Sequence, residues 1–351
     1  MADARAVTAQ EFRETFGRAR EQLAAVVVGQ ERVVEHLLAA VFAGGHVLLK
    51  GAPGLARTLL VKTLGHVLGL EYRRIQFTPD LLPTDIVGAE VLESRGAVGD
   101  RRFHFFKGPV FANLVLADEI NRSPTRTQNS LLEAMQERQV TLGGRTFPLP
   151  EPFTLVATQN SLDTEGVFPL GEAQVDRFLV MIEQDYPTAA EEKQMLALTT
   201  GTLAATPERV AGPETVLAMQ RLAREVPVVP SVRDLALWIV RSSRPGEPEA
   251  APEVVGAVRL GASPRAAQAL LLMGKVLALA RGRLHVAQRD VLDVVESAMA
   301  HRVLLDFRAR AEGATHAEIL KALVERAQAL SLPAVSRWTR ELLRTPEGEN
   351  G

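Results

Sequence analysis

The chain has 351 residues, 46% of them apolar, which suffices for a sizeable core and about two domains. Lys+Arg 40 against Asp+Glu 42 gives a net charge of −2, and only 5% of residues are aromatic, so a basic nucleic-acid surface or a base-stacking platform is not expected. The absence of cysteine excludes disulfides, thiolate metal sites and a cysteine nucleophile.

No apolar run reaches membrane-spanning length, and Met1–Arg5 lacks the apolar core of a signal peptide, so no membrane insertion and a cytoplasmic setting are expected. Residues 8–25 read as a helix opened by a Thr8/Glu11 capping box. Val27-Val28-Gly29-Gln30 breaks it, and Glu31–Ala43 resumes with apolar residues at helical spacing until Gly44-Gly45. The apolar run Val47–Leu49 stops at Gly51, followed by the small-residue turn Ala52-Pro53-Gly54-Leu55-Ala56 and a helix from Arg57-Thr58-Leu59 onward. This is the order strand, phosphate loop, helix, where unpartnered N–H groups and the helix dipole favour an anion.

A second strand is expected at 72–77. The Gly- and Pro-containing stretch 78–106 reads as an inserted hairpin, with strand-like pieces at Ile86–Leu92 and Arg101–Phe105. Leu114–Leu116 is a buried strand ending in Asp118-Glu119, and Thr125–Glu137 is a helix. Residues 138–149 carry Gly143-Gly144 between β-rich flanks, which predicts a hairpin. Strands at Phe153–Ala157 and Phe178–Ile182 complete an α/β core with a parallel five-stranded sheet between helices over residues 1–186. From 187 to about 310 the pattern is helical throughout, including Pro264–Arg281 behind a Ser263 cap and a single helix at Ala287–Ala300; 311–351 reads as a helical extension with a polar tail.

The loop departs twice from G-x-x-x-x-G-K-[ST]: Ala56 stands for the second Gly and Arg57 for the Lys. Ala56 is expected to tolerate a helix-start conformation. Arg57 keeps the charge but is longer, planar and forked. Taken alone, the segment leaves open a strand–turn–helix that binds no nucleotide. A carboxylate pair at the end of a nearby strand changes the weighing, because Asp118 with Thr58 suits a Mg²⁺ shell and Glu119 suits a general base. Asn160 lies at a strand tip and alone reads equally as a turn residue; Arg177, projecting from a short helix before a strand, alone reads rather as a surface ion-pair partner of Asp176 or Glu172; Arg265 opens a helix of the second domain, where the plain reading is a solvated first-turn Arg.

The order of these five features resembles the AAA+ ATPases. The wording resembles the MoxR family: Gly45-His-Val-Leu-Leu49, Ile75-Gln-Phe-Thr-Pro-Asp-Leu-Leu-Pro83, Leu116-Ala-Asp-Glu-Ile-Asn-Arg122, Leu131-Leu-Glu-Ala-Met-Gln-Glu-Arg-Gln-Val-Thr141, Ala157-Thr-Gln-Asn160 and Gly261-Ala-Ser-Pro-Arg265. The resemblance implies an AAA+ P-loop core with a C-terminal helical lid, ATP and Mg²⁺ as ligands, and Gly51–Thr58 as the Walker A loop. It implies Asp118 and Glu119 as Walker B, Asn160 as sensor 1, Arg177 as arginine finger and Arg265 as sensor 2. Val27–Gln30 would line the adenine pocket, with Val28 and Gly29 in contact, and Leu59 would join Gly51–Thr58 in binding the nucleotide. Residues 78–106 would be the helix-2 insert and 138–149 the hairpin before sensor 1, facing a pore or a client.

The resemblance further implies a hexameric ring, a partner carrying a von Willebrand factor A domain, and chaperone-like remodelling of a protein client, without nucleic acid. The family's loop usually reads Gly-Leu-Ala-Lys-Thr, so Arg57 is the anomaly; Ser161 stands where Pro often follows the sensor Asn. Arg122 is an alternative to Arg177 as the residue acting in trans. The rival readings are a nucleotide-blind ring subunit and, with less support, a helicase or metal-chelatase motor.

Overall fold

A computed structural model of the chain describes residues 6–94, 101–160, 167–200, 206–330 and 332–342. Ser161, the tip of the insert at 95–100 and the tail from 343 lie outside the described residues. The chain divides into two compact units: Met1–Val7 with Glu14–Phe178 and Ile182–Gln220, and Thr8–Arg13 with Leu179–Met181 and Arg221–Gly351.

In the first unit the chain runs α1 (Ala9–Ala24, which begins in the second), α2 (Glu31–Phe42), β1 (Val47–Gly51), α3 (Arg57–Val67), β2 (Tyr72–Gln76), α4 (Pro83–Val87), β3 (Gly88–Ser94), β4 (Arg101–Lys107) and β5 (Leu114–Asp118). A 3-10 turn at Ile120–Arg122 leads into α5 (Thr125–Glu137), then β6 (Gln139–Leu142), β7 (Arg145–Pro148), β8 (Thr154–Asn160), α6 (Glu172–Val175), β9 (Val180–Gln184, whose first two residues count with the second unit) and α7 (Ala189–Thr199). The Thr8/Glu11 box forms as expected: Thr8 N–H donates to Glu11 Oε2 at 2.8 Å and Glu11 N–H to Thr8 Oγ1 at 3.2 Å. The five-stranded sheet has the order β2-β5-β8-β1-β9, and the pairs β2/β5, β5/β8 and β1/β8 are parallel. Val47, Leu48, Leu49, Leu114, Val115, Leu116, Leu155 and Val156 are fully buried, as strands covered on both faces require.

The expected hairpins form. Gly143 and Gly144, at φ +54 and +76, close β6 against β7 in the doubly left-handed turn that this pairing needs. The insert differs in part. Ile86 and Val87 belong to α4 rather than to a strand, because Pro83 sits in its first turn and the Asp85 carboxylate accepts the Leu82 N–H at 2.9 Å. Gly88, at φ +97, ends that turn and starts β3, which pairs antiparallel with β4. The last strand is also shifted, to Val180–Gln184 instead of 178–182.

The second unit is built on α8 (Pro213–Glu225, which begins in the first), α9 (Pro230–Ser242), α10 (Pro264–Ala280), α11 (Gln288–Leu292), α12 (Val295–Met299), α13 (Phe307–Ala311), α14 (His316–Ala329) and α15 (Leu332–Leu342). A short ladder joins β10 (Val258–Leu260) to β11 (Leu304–Leu305). The single helix expected at 287–300 is two. Asp290 is buried and held by Arg283 and Arg281, and Arg281 also takes Asp293 at 2.5 Å; the backbone leaves the helical region at Val294 (φ −108, ψ 2). The C-terminal helix α15 packs on α9, where Trp338 Nε1 donates to Glu249 at 2.9 Å and Arg241 pairs with the same carboxylate at 3.2 Å. Among the described residues no helix is long and apolar enough to cross a membrane.

His46, just before β1, is buried, and its Nδ1 accepts the Leu155 N–H at 3.0 Å. Burial pushes its pKa from 6.5 down to about 3, the Arg138 charge adds to the shift, and a backbone hydrogen bond at Met135 opposes it. The native state therefore keeps the ring neutral while the unfolded chain protonates it, so stability is lost as pH falls below 6.5 toward about 3. Between pH 7.5 and 5.5 this group is expected to cost about 1.4 kcal/mol. Urea denaturation at both pH values, on the parent and on His46→Gln, measures that cost as the part of the loss missing in the variant.

Candidate functional site

The carboxyl ends of β1, β5 and β8 form one edge of the sheet. Gly51 is in register with Asn160, Ala117 with Ala157, and Gln76 with Asp118, so the expected loop, carboxylate and amide residues come from adjacent strand ends. In open α/β sheets this edge is where ligands bind.

At Gly51 a Cβ would lie 2.7 Å from the Gln184 carbonyl oxygen, so only glycine lets β1 end this close to β9. Ala52, Pro53, Gly54 and Leu55 make the turn, with Gly54 at φ +86. Ala56 does not take the helix-start conformation that was expected of it: it stands at φ +55, ψ +22, in the left-handed region, directly before α3. An alanine there costs about 1–2 kcal/mol relative to the right-handed conformation, a cost glycine does not bear. The N–H groups of Arg57, Thr58 and Leu59 are then the first of a helix and have no partner four residues back within it. Leu59 is 45% exposed beside them.

Arg57 turns back onto the strand ends. Its guanidinium donates to the carbonyls of Gln159 (2.8 Å), Gly51 (3.1 Å) and Ala52 (2.5 Å), tying the end of β1 to the end of β8. Burial lowers its pKa, while the charges of Asp118 and Glu119 oppose that shift. It is thus a cation close to both carboxylates with its donors on backbone oxygens.

Asp118 collects the neighbouring elements. Its Oδ1 accepts the Thr158 hydroxyl at 2.7 Å; its Oδ2 accepts Thr58 Oγ1 at 3.3 Å and Arg74 Nε and Nη2 at 3.0 and 2.7 Å. Glu119 sits at φ +58, ψ +49, with its N–H on Thr158 Oγ1 at 2.8 Å and its carboxylate on Gln76 Nε2 at 3.1 Å and Arg122 Nε at 3.2 Å. Arg74 also donates to Gln76. The turn after Glu119 is clamped by the buried Gln128 amide, which donates to the carbonyls of Ile120, Ser123 and Phe168. Arg74, Gln76, Thr158 and Gln128 were not singled out from the sequence. The spacing of Arg74 and Gln76, two polar residues at i and i+2 on one strand, is the signal that could have found the first two.

The other expected residues are placed as follows. Asn160 ends β8, which runs three residues beyond the expected Ala157. Arg177 lies two residues after α6 rather than on it, half-buried in the turn toward β9. Val28 and Gly29 are half-buried in the turn before α2; that turn is held by a buried hydrogen bond from Gln184 Nε2 to Gln30 Oε1 at 2.6 Å, and a Cβ on Gly29 would meet the Glu191 side chain at 2.6 Å. In the second unit Arg265 is exposed at the start of α10, whose cap is the expected one, Ser263 Oγ accepting the Arg265 N–H at 3.3 Å. Its approach loop is fixed to the end of α9: Ala262 N–H donates to Ser243 Oγ and Arg244 Nε to Ala262 O, both at 3.0 Å. The hairpins β3/β4 and β6/β7 meet through Phe105 and Phe147, stacked at 4.2 Å.

Two substitutions separate the loop's strain from its strut. Ala56→Gly is expected to leave stability within about 1 kcal/mol of the parent, because relief of the left-handed strain is offset by the freer unfolded chain. Arg57→Ala removes donors from three strand-end carbonyls and is expected to cost about 1–3 kcal/mol. Chemical denaturation of the two variants beside the parent checks both.

Comparison with known proteins is consistent with this architecture. Residues 46–180 match the model of the ATPase family associated with various cellular activities (AAA), and residues 252–323 match the AAA lid domain. The chain is 39% identical over 92% of its length to the chaperone MoxR1 of Mycobacterium tuberculosis, covering 83% of that protein. It is 30% identical to the protein MoxR of Methylorubrum extorquens, over 84% of this chain and 89% of that one. The crystal structure of a provisionally assigned ATPase from Cytophaga hutchinsonii superposes with a TM-score of 0.81 at 35% identity, covering 90% of this chain and 95% of that one. With an AAA core on a parallel five-stranded sheet, a lid match in its C-terminal part and MoxR chaperones as relatives over most of its length, the chain belongs to the MoxR family of AAA+ ATPases.

Proposed function

We propose that this chain binds ATP with Mg²⁺ at the Gly51–Thr58 loop and hydrolyses it slowly, using the cycle to remodel or activate a protein client. The observation that carries this reading is the meeting of Thr58, Asp118, Glu119 and Asn160 at one edge of the parallel sheet. The free N–H groups at the start of α3 suit a phosphate. The Thr58 hydroxyl and the Asp118 carboxylate are hard oxygen donors of the kind Mg²⁺ takes, so the residues fit the metal. When bound, Mg²⁺ neutralises charge building on the transferred phosphoryl oxygens. Glu119 accepts the proton of the attacking water, Asn160 orients that water, and Val28 and Gly29 flank the base. Arg265 is assigned the sensor-2 role, and Arg177 or Arg122 the arginine-finger role toward a neighbouring subunit's nucleotide, as the family resemblance implies.

Arg57 sets the rate in this reading. A lysine at this place delivers a point charge to the β- and γ-phosphates. The Arg57 fork is shared among three carbonyls, so its charge is offered from farther back. The same contacts favour the alternative, an AAA+ ring subunit of regulatory or structural kind that holds no nucleotide. Ring assembly, as a hexamer, a von Willebrand factor A domain partner and a cytoplasmic setting belong to the proposal through the family's known habits; nucleic acid does not.

Calorimetric titration with ATP and a phosphate-release assay separate the readings. The expected result is measurable binding, slow turnover, and at least about tenfold faster turnover in Arg57→Lys. Glu119→Gln should keep binding and slow turnover by about 10²-fold or more. Binding and turnover absent in the parent and both restored by Arg57→Lys would establish the nucleotide-free subunit instead.

A further inference from the structure

The Asp118 carboxylate is engaged on both oxygens before any metal arrives. Oδ1 takes the Thr158 hydroxyl, and Oδ2 takes Thr58 Oγ1 together with Nε and Nη2 of Arg74. A metal shared by Thr58 and Asp118 would need that same Oδ2 face. Mg²⁺ binds carboxylate oxygen at about 2.0–2.1 Å in a near-octahedral shell and tolerates little distortion. Arg74 is a fixed positive charge with two donors on one oxygen, and it repels a second cation there. The Asp118 side chain is only 12% exposed and Arg74 is 46% exposed, so the carboxylate needs a counter-charge and the guanidinium is free to supply it from the solvent side. Gln76, which also accepts from Arg74, holds the fork in place and binds Glu119 with its amide.

The balance of charge points the same way. Arg57, Arg74 and Arg122 lie close to Asp118 and Glu119 as three cations against two anions. A polyphosphate at the start of α3 therefore meets a surplus of positive charge without a divalent ion.

We infer that Arg74 is the resident counter-cation of Asp118, that Mg²⁺ has to displace it, and that the site consequently accepts a nucleoside diphosphate or triphosphate without metal. Arg74 is a positioning residue in this scheme: it touches the metal-binding carboxylate and not the reacting atoms. Nucleotide is taken up with Arg74 on Asp118, and metal arrival releases the fork and with it one acceptor of Gln76. The inference rests on nucleotide binding at the Gly51–Thr58 loop and adds to it the order in which nucleotide and metal are held.

The test is fluorescence titration with mant-ADP in excess Mg²⁺ and in EDTA, on the full chain, with thermal melts to verify folding of each variant. The parent should lose no more than about threefold in affinity when Mg²⁺ is replaced by EDTA, under 1 kcal/mol on the affinity scale. Arg74→Gln should lose at least about tenfold in EDTA and change little in Mg²⁺. Arg74→Lys, which keeps the charge, should stay near the parent in EDTA. Manganese binding to the nucleotide-free protein, read by electron paramagnetic resonance, should be tighter in Arg74→Gln than in the parent. A tenfold loss in EDTA for the parent, or equal metal dependence in the parent and Arg74→Gln, overturns the inference and leaves the nucleotide site standing. Absence of mant-ADP binding to the parent in both buffers overturns the nucleotide site and the inference together.

Discussion

The candidate site depends on one carboxylate. Asp118 is the last residue of β5: the four residues before it are fully buried, and it is the first with a charge. A carboxylate at a buried strand end has to be compensated, and it is compensated by three different elements, α3 through Thr58, β8 through Thr158 and β2 through Arg74. Each bond fixes a piece of backbone. Thr158 also receives the Glu119 N–H, which holds the second carboxylate in its left-handed turn. The geometry that suits a metal and a water is therefore a by-product of satisfying one anion at the edge of an apolar sheet.

The loop beside it follows a different logic. Gly51 is confined by the Gln184 carbonyl, Gly54 and Ala56 have positive φ, and Arg57 fastens the loop's start to the end of β8. Ala56 and Arg57 both make this loop stiffer than a Gly-Lys pair would: the first narrows the backbone's options, and the second occupies carbonyl oxygens with a fork that a lysine lacks. Membership of the MoxR family is secured by the whole chain and does not depend on these two side chains.

Much of the architecture was legible because it is local or periodic. The run Leu114–Leu116 ending in Asp118-Glu119, the Gly143-Gly144 turn, and the caps at Thr8 and Ser263 each specify their element from a few neighbouring residues. The loop, the carboxylate pair and the strand-end amide were legible as a sequence order, and the sheet registers bring them side by side. What could not be read was long-range. Arg57 finds Gln159 across 102 residues and Arg74 finds Asp118 across 44, and nothing in either local pattern names the partner. Ala56 misled because residue type suggests a conformation while the chain's path imposes one. The break between α11 and α12 is likewise beyond a local pattern: Asp293, at the end of α11, pairs with Arg281 at the end of the preceding helix.

The stack of Phe105 on Phe147 joins two hairpins that start from different strands. One arm, β3/β4, grows from the segment after β2, which carries Arg74 and Gln76; the other, β6/β7, grows from α5, which follows Asp118 and Glu119. Glu90 of the first arm also lies against Gly143 of the second. Two arms joined by this stack and this contact, and rooted on either side of one ion pair, close a ring of contacts that runs back through Arg74 and Asp118. The placing of each hairpin is thereby set from two roots rather than one.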